Sequence, residues 1–175
     1  MNKGLIHIYE GDGKGKTTAC VGLSVRCAGS GKKVIFSQFM KDNKSSELNI
    51  LKQIDNITVI LCDKTFGFSF NMTPEQKKEA KEVFNEYLRK VTKEAVDTNA
   101  DMLVMDELIA TYNLDFVDHE FLIDFLKNKP EGLEVVMSGR EPQKELVDLA
   151  DYVSCVKKVK HPFEQGIPAR VGVEK

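Results

Sequence analysis

Short runs of consecutive apolar residues punctuate the chain at Gly4 to Tyr9, Val34 to Phe39, Thr58 to Leu61, Met102 to Met105 and Leu133 to Met137. None alternates strictly between apolar and polar, which is the pattern of strands covered on both faces. Between them the period changes to that of a helix. In "TPEQKKEAKEVFNEYLRKVTKEAV" the residues Ala80, Val83, Phe84, Tyr87, Leu88, Val91 and Ala95 trace one apolar stripe. Thr73, Pro74 and Gln76 supply a cap, a proline at the first helical position and a capping-box partner. Further helices are expected from Lys16 to about Ala28, stopped by "GSGKK", from Ser46 to Ile54, after Asp118 and after Pro142. Strand and helix alternate, so the pattern predicts an α/β fold: an open parallel sheet with helices on both faces. With no internal repeat, low-complexity segment or Pro/Ser-rich linker, residues 1–175 are expected to form one domain.

Composition narrows the possibilities without naming a chemistry. A chain of 175 residues buries enough apolar surface to fold without disulfide or metal staples. A net charge of -2 with 30% charged residues gives no basic excess, which disfavours a nucleic-acid partner. Cys20, Cys27, Cys62 and Cys155 form no C-x-x-C pair and the three histidines are scattered, so metal-ligand spacing is absent. Reduced, mostly buried cysteines fit, and without a signal segment or a long apolar span the expected setting is the cytoplasm, with no membrane partner.

The chemistry starts at "IYEGDGKGKTTAC", Ile8 to Cys20. A glycine loop that leaves a strand and opens a helix turns backbone N–H groups around phosphate oxygens, and the helix N-terminus adds partial positive charge. Gly11, Gly13 and Gly15 supply the bend, with Asp12 among them. Lys16 is placed to reach phosphate oxygens, Lys14 adds a second cation, Thr17 is placed to offer its hydroxyl to Mg²⁺, and Thr18 is a further donor. The usual G-x-x-x-x-G-K-[ST] spacing would put glycine at position 10, where Glu10 stands, so the loop is one residue tighter than the standard pattern.

"LVMDEL" is an apolar strand ending in Asp106 and Glu107, the arrangement that brings a carboxylate beside a loop-held Mg²⁺. Since successive strand residues point to opposite sides, one of the two is expected to face the metal and the other to brace the loop. "VVMSGREP" puts Arg140 at the C-terminal end of another strand, the edge where open parallel sheets bind ligands; a phosphate clamp and a solvated loop residue both fit it. Arg26, ten residues past Lys16, has a weaker positional case. In "FGFSF", Phe66, Phe68 and Phe70 fit one face of a strand slightly better than an apolar wall for a flat ligand. "VKKVKHPF" reads as a solvated edge strand. His7, His119 and His161 all sit where histidines are commonly structural, so the chain is rich in anion stabilisation and poor in general bases.

Taken together, "EGDGKGKTTA", "VMDEL", "SGR", "LADYVS" and "KHPFEQGIPARVGVE" resemble, in the family's order and over nearly the whole chain, the corrinoid adenosyltransferases of the CobA/CobO/BtuR type. The resemblance implies a P-loop, RecA-like fold. It implies transfer of the 5′-deoxyadenosyl group of ATP to the cobalt(I) of a reduced corrinoid, with release of triphosphate. The phosphate chain is then a leaving group, and Gly11 to Thr18 would hold it in an orientation unlike that of ordinary P-loop NTPases. Cobalt(I) carries no proton to remove, which accounts for the missing base. By the same likeness Lys14, Lys16 and Arg140 stabilise the departing charge, Thr17 and Glu107 hold Mg²⁺ with Asp106 in support, and Arg26 contacts phosphate. Phe68 and Phe70 match an aromatic pair that packs on the corrinoid and helps remove its lower ligand before reduction of cobalt(II). Relatives often carry tryptophan where Phe70 stands, and longer relatives begin with a segment that can cover the corrinoid. The family further implies a homodimer and an electron-donating reductase, flavodoxin-like or flavin-based. Two other classes share the loop: an ATPase or nucleoside kinase acting at the γ-phosphate, and a non-catalytic ATP or corrinoid sensor.

Overall fold

In a computed structural model, described here for residues 3–67 and 69–174, the chain folds around a six-stranded sheet whose registered strand pairs are all parallel. The strands are β1 (Ile6–Glu10), β2 (Val34–Gln38), β3 (Ile57–Leu61), β4 (Met102–Asp106), β5 (Glu134–Ser138) and β6 (Tyr152–Cys155), in the spatial order β3-β2-β4-β5-β1-β6. The helices are α1 (Lys16–Gly29), α2 (Glu47–Leu51), α3 (Pro74–Asp97), α4 (Leu108–Asn113), α5 (His119–Asn128) and α6 (Lys144–Leu149).

Side chains of each strand divide between two cores, which is why the runs are apolar throughout. In β4, Met102 and Val104 pack with Cys20, Cys27 and Ala28 of α1 and Leu48 and Leu51 of α2. The intervening Leu103 and Met105 pack on the other face with Phe84, Leu88 and Val91 of α3, Ile109 and Tyr112 of α4, Leu122 of α5 and Leu146 of α6. The expected stripe of α3 faces this core. Its start is a complete capping box: Thr73 accepts from the Gln76 N–H at 3.2 Å while the Gln76 side chain accepts from the Thr73 N–H at 2.9 Å.

Four local expectations change. The third helix is shorter than expected, Glu47–Leu51, and α4 was not anticipated because its six residues directly follow the acidic pair. The segment after β3 is not a strand: Ser69–Asn71 form a 3₁₀ turn, Phe66 packs on Phe84 with ring centroids 5.7 Å apart, and Phe70 is 79% exposed. Phe68 lies outside the described residues. The edge strand is Tyr152–Cys155, upstream of the basic run, and the chain beyond it turns across the glycine loop. Among the described residues no helix is long and apolar enough to cross a membrane.

Candidate nucleotide site

The order of the strands places the site. One strand, β5, separates β1, which feeds the glycine loop, from β4, which ends in the acids. Helix α1 packs back across β1, β5, β4 and β2. Its first turn therefore carries Thr17 over to Asp106, and the Thr17 hydroxyl donates to the two carboxylate oxygens at 3.0 and 3.2 Å. Ser138, at the end of the intervening β5, donates to Asp106 Oδ1 at 2.6 Å and accepts from the Glu107 N–H at 2.9 Å.

The loop is held against the chain that follows β6. The Gly13 N–H donates to the Val156 carbonyl at 2.7 Å, and a Cβ at Gly13 would lie 2.6 Å from that oxygen. Gly11, with φ +113°, is crowded by the same carbonyl. Asp12 accepts from the Lys158 N–H at 2.9 Å, and that bond is the first cause holding its carboxyl below the usual range. Lys16 is 7% exposed and curls back to donate to the Gly13 carbonyl at 3.0 Å, so its ammonium lies inside the loop.

Beyond the loop lies a cavity of about 360 Å³ lined by residues from three regions. Asp12, Gly13, Lys14, Gly15, Lys16, Thr17 and Thr18 come from the loop, and Lys41, Glu107 and Arg140 from the ends of β2, β4 and β5. The third region is the C-terminal segment, which adds His161, Phe163, Ile167, Glu174 and neighbouring residues. That segment is shaped by a 3₁₀ turn at Pro162–Gln165, capped by the His161 side chain, and by an Arg170–Glu174 pair at 2.8 Å. The hydrogen bond from Arg170 holds the Glu174 carboxyl down to about 2.

The two acids part here: Asp106, the last residue of β4, is buried and accepts from Thr17, whereas Glu107, whose φ of +59° is left-handed and ends the strand, lines the cavity. Burial, and next the charge of Asp106, push the Glu107 carboxyl up; Lys41, Lys16 and Arg140 oppose this.

The structure thus gathers Asp12 to Thr18, Glu107 and Arg140 around one cavity, with Asp106 behind Thr17. Arg26 is not among the residues lining it: it stands in the last turn of α1, exposed and about 15 Å along the helix from Lys16. Phe70, on the turn before α3, is not among those residues either. Lys41, Ser138 and His161 were missed by sequence reasoning. Lys41 follows β2, and only the placing of β2 beside β4, with Gln38 opposite Asp106, brings it to the site. The structural expectation for the other histidines agrees with their packing: His7 bonds Glu134 at 2.8 Å, and His119 stacks on Tyr112 at 3.7 Å.

A glycine-lysine loop between β1 and α1, an acid at the end of a strand one place removed, and a parallel sheet define a P-loop protein of the RecA-like class. Of solved structures, EssC (ATPases 2 and 3) from Geobacillus thermodenitrificans superposes with a TM-score of 0.53 at 14% identity, covering 98% of this chain and 36% of that one, a likeness of fold. Residues 2–174 match the ATP:corrinoid adenosyltransferase BtuR/CobO/CobP family, and the chain belongs to it. It is 31% identical to the corrinoid adenosyltransferase of Escherichia coli strain K12, over 98% of this chain and 86% of that protein. It is 32% identical to the corrinoid adenosyltransferase CobA of Salmonella typhimurium strain LT2, over 98% of this chain and 86% of that one. The chain is therefore an enzyme of the adenosyl-transfer class, with a corrinoid as acceptor.

Proposed function

We propose that the protein, acting as one catalytic domain, transfers the 5′-deoxyadenosyl group of ATP to the cobalt(I) of a reduced corrinoid and releases triphosphate. The observation that carries this reading is the character of the cavity. Its cations are Lys14, Lys16, Lys41 and Arg140, while of its acids Asp12 is bonded to the Lys158 N–H, Glu174 to Arg170, and Glu107 is left for a metal ion. Its one histidine, His161, uses Nδ1 to cap a turn. That inventory suits a reaction in which charge departs on a leaving group and no proton has to be removed.

In this reading Lys14, Lys16 and the N–H groups at the start of α1 hold the phosphate chain, and Arg140 closes on it from the end of β5. Thr17 and Glu107 would hold Mg²⁺, which supplies further neutralisation of the phosphates. The donors fit such an ion, being hard oxygens. Substrate phosphates and water would complete the coordination of such an ion. Asp106 braces Thr17. Phe70, largely exposed beside the start of α3, and Phe68 are assigned to a corrinoid face by family likeness. The reading pairs the chain as a cytoplasmic homodimer and assigns cobalt reduction to a flavodoxin-like or flavin-based partner.

The test is incubation with ATP, Mg²⁺ and several chemically reduced corrinoids, followed by identification of products. Adenosylated corrinoid with triphosphate is expected. Phosphate or ADP without a cobalt–carbon bond would instead assign the site to γ-phosphate chemistry, and binding without turnover would make the chain a sensor.

A further inference from the structure

The corner where β2 and β4 end holds an ammonium against the hydroxyl and carboxylate of Thr17 and Asp106. Asp106 is fully buried, and its carboxylate accepts from Ser138, Thr17, Gln38 and Lys41. The Lys41 Nζ lies 2.8 Å from Asp106 Oδ2 and 2.9 Å from Thr17 Oγ. The hydroxyl read above as a metal ligand is thus already engaged by a cation. Acceptors remain in excess around it, since Gln38 Oε1 is buried without a partner among the described residues. An ammonium and a divalent cation sharing one hydroxyl oxygen would lie only a few ångström apart, where like charges repel.

The backbone that carries Lys41 is held while its side chain has room to move. Met40 and Asn43, on either side, are non-glycine residues in left-handed conformations, with φ +52° and +61°. The loop is tied down by a 2.8 Å bond from the Phe39 N–H to the Asp106 carbonyl and another 2.8 Å bond from Asn43 Nδ2 to the Cys62 carbonyl. Lys41 itself lines both the nucleotide cavity and a second one of about 350 Å³ bordered by Ser45, Ser46, Glu47 and Val173. The carboxylate of Glu47, bonded to Gln38 Nε2 at 2.9 Å, stands on that second side.

We propose that Lys41 is a stand-in cation: without metal and nucleotide it neutralises Asp106 and occupies the Thr17 hydroxyl, and loading requires it to withdraw toward the second cavity. The assignment rests on reading the loop as a metal–nucleotide site. Lys41 acts there by competing with the metal and by holding Thr17 in position until the metal arrives.

The test is a Mn²⁺ titration of the full chain without nucleotide, read by the electron paramagnetic resonance of free Mn²⁺, for wild type, Lys41→Met and Lys41→Met/Thr17→Val. Removing the ammonium should tighten Mn²⁺ binding by about tenfold, and adding Thr17→Val should abolish the gain. Equal or weaker binding by Lys41→Met would overturn the assignment, since removing a cation that competes for the Thr17 hydroxyl must tighten metal binding. If circular dichroism shows Lys41→Met unfolded, the same comparison is made between Asp106→Asn and Asp106→Asn/Lys41→Met, with the same expectation and the same overturning result. Calorimetry of Mg²⁺–ATP binding to wild type separates the two readings. Absence of ATP binding would sink the nucleotide reading, and ATP binding with an unchanged Mn²⁺ affinity in the variant would sink the lysine assignment alone.

Discussion

Replacing Phe70 by alanine separates a ligand-facing role from a packing role. Burying a whole phenylalanine contributes about 1.5–3 kcal/mol; Phe70 is 79% exposed, so about a fifth of that, roughly 0.3–0.6 kcal/mol, is at stake. For a domain of this size that is a melting-point change of about 1–2 °C. Phe84, 2% exposed in the core beneath α3, sets the contrast: its truncation should cost about 3–5 kcal/mol. If Phe70 packs on the corrinoid, the loss of an aromatic contact worth about 0.5–1.5 kcal/mol slows turnover by about two- to twelvefold. That loss should appear when the assay starts from cobalt(II) with a mild flavin-based reductant. It should largely vanish with chemically prepared cobalt(I), which already lacks its lower ligand. Equal losses in both assays, accompanied by a melting point several degrees lower, would refute both the exposure argument and the assigned role.

Lys16 is buried, so methionine is the informative replacement: Lys16→Met should keep the fold by circular dichroism and lower adenosyl transfer by about 10²–10³, the usual cost of losing one charge-stabilising donor. Glu107→Gln should raise the Mg²⁺ concentration needed for ATP binding by about tenfold, or 1.4 kcal/mol, and an unchanged titration would move the metal role to Asp106. The C-terminal clasp should depend on pH. Because the folded Glu174 carboxyl is depressed to about 2 from an ordinary 4.5, its contribution is present above 4.5 and lost as pH falls toward 2. Protection of residues 161–174 against hydrogen exchange, taken relative to the intrinsic rate at each pH, should therefore fall through that window in wild type, whereas Arg170→Gln should already lack it at neutral pH.

The strands and long helices were legible because each is a local matter. A run that is apolar at every position needs cover on both faces, and the stripe and capping box of α3 are complete within its own residues. Short elements were less so. The six residues of α4 hold together through burial of Leu108, Ile109 and Tyr112 in a core that other parts of the chain build. Phe66 to Phe70 have the spacing of a strand face, yet Ser69–Asn71 form a 3₁₀ turn and Phe66 packs on Phe84 of α3, a contact between segments that spacing alone does not encode.

By itself the sequence determined the phosphate loop, the acids at a strand end and the family, since glycines, lysine and threonine in that order after a strand carry their geometry in the local backbone. Tertiary structure alone decided which groups meet there. Inserting β5 between β1 and β4 puts Ser138 under Asp106, and placing β2 beside β4 delivers Lys41 to Thr17. Carrying the chain beyond β6 across the loop brings the Arg170–Glu174 clasp over the cavity. Thr17 and Lys41 lie 24 residues apart and Asp106 and Ser138 lie 32 apart, and their meeting depends on strand order, which no local pattern of apolar and polar residues encodes.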